Sequence, residues 1–186
     1  MEILKRYAIP FKGLGEGRHE FGFELDNRFF QAFEGSEIKG GMARAEVVLT
    51  KGSTTLELDF TIAGEVTVPC DRCLEDCTVP VDYEGGFKVR FGDTKDDFDG
   101  ELMWLTHGES ELNVAQYIYE SIVLSLPYKR VHPDRPDGSP GCDPEIIGHA
   151  RLISQEEFEK AEEGSEMQKM EDNPEWQKLR EIQSKL

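Results

Sequence analysis

The tract Gly41–Cys70, GMARAEVVLTKGSTTLELDFTIAGEVTVPC, constrains the fold more than any other part of the chain. Leu56, Leu58, Phe60 and Ile62 alternate with polar or small residues, the period of two expected where one face of a strand is buried. KGST interrupts the tract with turn-forming residues, so two strands joined at that point are predicted. Further strands are predicted in EILKRYAI, closed by Pro10, and in HEFGFEL, where Phe21, Phe23 and Leu25 share a face. TVPVDYEGGFKVRFG, with a kink or bulge at Gly85–Gly86, and ELMWLT read as two more.

Helical signals are sparser. DNRFFQAFEG has Asp26 as N-cap, a shared face of Phe29, Phe30 and Phe33, and Gly35 to stop it. LNVAQYIYESIVLSLP is the clearest helix, with Asn113 as cap, an apolar stripe through Ile118, Ile122 and Leu126, and Pro127 at its end. Strands followed by one main helix predict an α+β fold whose sheet is mainly antiparallel and strongly curved or barrel-like. A doubly wound nucleotide-binding fold would alternate strand and helix throughout, and this chain does not. The predicted organisation is a single β-rich domain over residues 1–150, with its helix near 113–126, and a charged helical tail over 151–186. In that tail Ser154 and Glu157 have capping-box spacing, and Asn173 with Pro174 opens a last helix.

Charge narrows the function. The net charge of −17 is concentrated in residues 74–112 and 154–186. Such a chain is a poor general binder of nucleic-acid phosphate, which is held by Lys and Arg, so any RNA contact must be local or run through a partner protein. No apolar run approaches the roughly 20 residues that span a bilayer, and the N-terminus lacks the apolar core of a signal peptide, so a cytoplasmic protein with no membrane role is expected.

The residues with most chemical potential lie in VPCDRCLEDC. Cys70 and Cys73 form a C-x-x-C, the half of a tetrahedral zinc site that one tight turn can supply. The proline-rich stretch after Pro127 offers His132 and Cys142 for the other half, with His149 as a spare. A zinc ion on Cys70, Cys73, His132 and Cys142 would also explain how so long a loop becomes ordered. Three other readings stand beside it: a thiol redox pair, a disulfide (Cys70–Cys73 or Cys73–Cys77), or cysteines that serve as small buried apolar residues, as Cys77 does on its own. One cationic cluster interrupts the acidity. Tyr128, Lys129, Arg130 and Arg135, with Arg72 between the paired cysteines, form a possible RNA contact, or pair with Asp71, Asp134 and Asp137. No phosphate loop, nucleophile elbow or acid/base pair is evident, and a non-enzyme is expected.

VTVPCDRCLEDCTVPV, then acidic loops, then ESIVLSLPYKRVH and a later Cys142 resemble the YceD family, the large ribosomal RNA subunit accumulation proteins. The resemblance rests on the C-x-R-C and the helix ending in Leu-Pro, and covers roughly residues 40–145; NPEWQKLREI is similar to the family's short terminal helix. It implies a bacterial, cytoplasmic, non-catalytic factor in large-subunit ribosomal RNA processing or accumulation, with a metal-binding role for Cys70, Cys73, His132 and Cys142. Partners implied are ribosomal RNA or a ribosome-assembly protein, met directly or indirectly. Many members carry a second C-x-x-C downstream where this chain has Cys142 alone. The alternative reading is an acidic protein–protein module that recruits a basic ribosomal protein or an RNA enzyme.

Overall fold

A computed structural model describes residues 3–92, 101–139 and 141–149. Its centre is three long strands: β3 (Gly40–Lys51), β4 (Thr55–Pro69) and β5 (Asp76–Gly92). With β2 (Gly17–Leu25) and β6 (Leu102–Thr106) they form a five-stranded sheet in the order β2-β3-β4-β5-β6. A two-residue pair, β1 (Ala8–Ile9) with β7 (Leu112–Asn113), stands apart from it. The helices are α1 (Asn27–Gln31), α2 (Ala115–Ser125) and α3 (Pro144–His149). Residues through Asp143 make one unit, and α3 opens a second.

The period of two sorts the long strands as the sequence implies. Leu56, Leu58, Phe60, Ile62, Val66 and Val68 on β4 are buried, and the intervening Glu57, Asp59, Thr61, Ala63 and Glu65 are exposed. Each fully buried large apolar side chain contributes about 1.5–3 kcal/mol by leaving water. The buried face is covered by α2, whose Tyr117 ring packs on Phe60 and Phe87 at 4.5 and 4.7 Å between centroids. Near the other edge, Phe29 of α1 meets Tyr7, and Tyr7 meets Phe23 of β2. Asp26 caps α1 as expected, accepting from the backbone N–H groups of Arg28 and Phe29. Asn113 lies one residue ahead of the structural N-cap of α2, Val114, and its side chain accepts from Ala115 N at 2.9 Å.

The fold is α+β, as expected, but the sheet is open and mixed. Pairs β2–β3, β3–β4 and β4–β5 are antiparallel, while β5 and β6 run parallel from Lys88↔Leu102 to Gly92↔Thr106. Strands β2 and β6 end the order without pairing to each other, so no barrel closes. The parallel neighbour is cheap to connect because the shared length is short. Returning from Gly92 to the level of Lys88 needs only about 13 Å, well within the reach of the segment 93–101.

Two local expectations are also corrected. No bulge interrupts β5 at Gly85–Gly86: the register with β4 runs unbroken from Thr55↔Arg90 to Pro69↔Asp76. The glycines make room instead, since a Cβ on Gly85 would sit 2.3 Å from the Tyr83 hydroxyl and one on Gly86 2.3 Å from the Leu58 carbonyl oxygen. In place of the strand expected in EILKRYAI, Ile3–Tyr7 is a 3-10 turn running into the two-residue β1. The turn brings Tyr7 inward, where its hydroxyl donates to the Glu24 carbonyl at 3.0 Å. The tail helices read from residues 151–186 and the acidic loop DTKDDFDG lie outside the described residues. No helix among the described residues is long and apolar enough to cross a membrane.

Candidate metal centre

Strands β4 and β5 are one long hairpin, and Cys70–Glu75 is its tip. Pro69↔Asp76 is the last ladder pair; beyond it Cys70 N donates to Glu75 O at 2.8 Å and Leu74 N to Cys70 O at 2.9 Å. The turn closes with Leu74 in the left-handed region, φ 63°. Arg72 N points at Cys70 Sγ, 3.4 Å away. This tight turn brings the two thiols of the C-x-x-C together. It is a hairpin tip and not the start of a helix, the setting that lowers a thiol pKa in thioredoxin-like redox pairs.

The second half of the cluster comes from the chain beyond α2. Leu126 turns out of the helix with φ −59° and ψ 140°, and the described residues among 127–143 follow without a helix or strand. A set of contacts ties this loop to the hairpin tip. Asp71 N donates to Arg130 O at 2.8 Å, Arg130 N donates to the Asp71 carboxylate at 2.7 Å, and the Arg130 guanidinium bridges Asp71 and Glu37. His132 Nε2 lies 3.0 Å from the Asp76 carbonyl oxygen. Further on, the chain doubles back so tightly that a Cβ on Gly141 would lie 2.1 Å from Pro133 O, which keeps this position to glycine.

These constraints place Cys142 Sγ 3.7 Å from Cys70 Sγ and His132 Nδ1 3.5 Å from Cys73 Sγ. All four donor atoms lie within 4.8 Å of one another. A tetrahedral zinc ion with bonds of about 2.3 Å to sulfur and about 2.0–2.1 Å to nitrogen has edges of roughly 3.8 Å between sulfurs and roughly 3.6 Å from sulfur to nitrogen. The two shortest contacts match those edges. The three cysteines are buried and His132 is half-buried, so the donors are largely screened from water. A carbonyl oxygen can only accept, so Nε2 carries the proton and the lone pair of Nδ1 faces Cys73, the tautomer a metal-ligating histidine needs.

The thiols are electrically unequal. Burial acts to raise the Cys70 pKa, but the backbone N–H groups of Cys73, Arg72 and His132 and the Cys73 thiol outweigh it and bring the value down to about 6. Cys73 is pushed up to about 11, first by burial and then by the neighbouring sulfurs of Cys70 and Cys142. The arrangement favours a first thiolate at Cys70 and opposes a second without a cation to share it. All four cysteines are free thiols in the structure. Cys77 lies on the buried face of β5, its Sγ 3.8 Å from Thr78 O, outside the four-donor set, and its pKa is raised by burial.

The cationic residues separate into groups. Arg130 is spent on Asp71 and Glu37, the ion-pair outcome weighed against an RNA contact. Arg72 and Lys129 are exposed with no ion pair among the described residues, and Tyr128 is 98% exposed. Arg135 sits on a separate turn, its N–H bonded to Ser139 O. His149 falls on α3, outside the described side chains. Sequence reasoning did not find the Glu37 and Asp76 contacts. Glu37 lies 93 residues from Arg130 with no motif to mark it, and Asp76 contributes only a backbone oxygen.

The model of one protein family, "Large ribosomal RNA subunit accumulation protein YceD", matches residues 58–183. The chain belongs to the YceD family. The matched span opens inside β4 and contains the hairpin tip, α2 and all four donors of the YceD chain's cluster, while β2 and β3 precede it. No curated protein and no solved structure matches the chain.

Proposed function

We propose that the chain is a non-catalytic, cytoplasmic factor for the accumulation of large-subunit ribosomal RNA, with Cys70, Cys73, His132 and Cys142 holding a structural zinc ion. Family membership carries the biological reading. The zinc reading is supported by the closed donor set, since four protein ligands around one point leave no coordination position for substrate or attacking water. Bound there, zinc would supply a four-way cross-link between the hairpin tip and the loop after α2. The residues around it act on the ligands: the Asp76 carbonyl fixes the His132 tautomer, Arg72 N–H supports the Cys70 sulfur, and the Asp71–Arg130 pair holds the two segments in register.

The experiment is a deletion strain complemented by the wild-type gene or by Cys142→Ser. The ratio of large- to small-subunit ribosomal RNA should fall in the deletion, recover with the wild type and recover incompletely with the variant. An unchanged ratio in the deletion strain would refute the biological role.

A further inference from the structure

The tip of the β4–β5 hairpin carries side chains that the fold and the metal centre do not need. Leu74 occupies the left-handed region, at a cost of about 1–3 kcal/mol for a residue that is not glycine. Glycine there would relieve the strain. Instead the position presents a leucine that is 77% exposed. Across the Asp71–Arg130 backbone pair, Tyr128 is 98% exposed, and its ring makes no aromatic contact among the described residues. Arg72 and Lys129 are each one residue from that pair, and both are exposed with no ion pair among the described residues. The nearest carboxylate, Asp71, shares Arg130 with Glu37, and Asp76 pairs with Lys39, which leaves Glu75 as the exposed anion on the tip with no ion pair among the described residues.

An exposed aromatic ring, an exposed apolar side chain on the segment tied to it, and two cations without an ion pair among the described residues are, on an otherwise acidic protein, the elements of a single-strand binding surface. The ring and the leucine offer a face to an unpaired base, and the cations reach the flanking phosphates. A duplex keeps its bases stacked internally and cannot use the ring. We infer that Tyr128, Leu74, Arg72 and Lys129 form a contact for single-stranded RNA, held together by the metal-pinned loop. The inference rests on the proposed role in ribosomal RNA accumulation and names the direct contact that role would use. A basic protein, the partner that suits this acidic chain as a whole, is disfavoured as the occupant because it would meet like charge at Arg72 and Lys129, which have no ion pair among the described residues.

The test is fluorescence anisotropy of the zinc-loaded full chain with a short, unstructured, labelled RNA and with the duplex made from it. The single strand should bind and the duplex should bind more weakly. Tyr128→Ala should lose at least about fivefold in affinity, and Tyr128→Phe should keep it. Arg72→Ser with Lys129→Ser should lower the slope of log affinity against log salt by about 1.4. Zinc content, measured on each variant, should be unchanged. Equal binding of strand and duplex, unchanged binding by Tyr128→Ala, or recovery of only a basic protein and no RNA would overturn the contact. The wider reading fails separately. A deletion strain with normal ribosomal RNA refutes the biological role, whereas a defective strain fully rescued by Tyr128→Ala refutes only this contact.

Discussion

Cys142→Ala separates a metal centre from a group of buried thiols by magnitude. Cys142 is 1% exposed and lies 72 residues from Cys70, whose sulfur it approaches to 3.7 Å. If a zinc ion joins them, it closes a 72-residue loop, which by the chain-entropy relation for a cross-link stabilises the fold by about 4 kcal/mol. In a chain of this size that corresponds to roughly 10 °C in melting temperature. If Cys142 is only a small buried residue, truncating it costs about 1 kcal/mol, or roughly 3 °C. Thermal melts with and without a strong chelator, paired with zinc analysis after gel filtration, read the difference. The wild type should carry about one zinc ion per chain and lose roughly 10 °C in chelator, while Cys142→Ala should melt low from the start and ignore the chelator. A wild type without zinc, unmoved by chelator, together with a loss of only about 3 °C in the variant, would refute the cross-link.

Two further variants test the boundaries of the centre and of the sheet. Cys77→Ala should keep the wild-type zinc content, since Cys77 lies outside the four-donor set; loss of zinc would make it a ligand. Gly64→Ala should destabilise the chain by about 1–3 kcal/mol in urea denaturation, because the added Cβ would lie 2.4 Å from Ala43 Cα and from the Met42 carbonyl oxygen, at a φ of +156°. An unchanged midpoint would mean that β3 and β4 can separate there freely.

What was legible in the sequence was whatever depends on local period or local turn chemistry. Alternation along β4 exposed its buried face because a half-buried strand has no other way to satisfy both sides. Asp26 was readable as a cap because its side chain answers the first free N–H groups of α1. The C-x-x-C was readable because two thiols three residues apart converge only in a tight turn. Strand direction was not legible, because β6 could lie beside β5 either way and the intervening segment decides it. Nor was the bulge at Gly85–Gly86 decidable from two glycines. The same pair that could break a ladder here leaves space for Tyr83, whose hydroxyl meets Tyr117 at 2.8 Å. The loop ties were hidden for a different reason: Glu37 and Asp76 O meet residues 93 and 56 positions away, and long-range pairing leaves no periodic trace.

The net charge of −17 argues against RNA binding only if the acidic groups act at the place where RNA would touch. The outward-facing Asp59, Glu84 and Asp82 lie in mid-sheet, and Asp59 is ten residues along β4 from Pro69 at the hairpin tip. At strand rise that is roughly 33 Å. The screening length at physiological ionic strength is about 8 Å, so Asp59 is about four screening lengths from the tip and Asp82, six residues from Asp76, about two and a half, while the exposed Glu65, four residues from Pro69, is nearer at roughly 13 Å. The anions close to the tip are the ones that matter, and three of the four are paired: Asp71 and Glu37 share Arg130, and Asp76 pairs with Lys39. Those ion pairs therefore do more than fasten the loop. They reduce the repulsion that would otherwise face a phosphate beside Arg72 and Lys129, leaving the remainder of the surface to repel RNA and so orient it towards the tip.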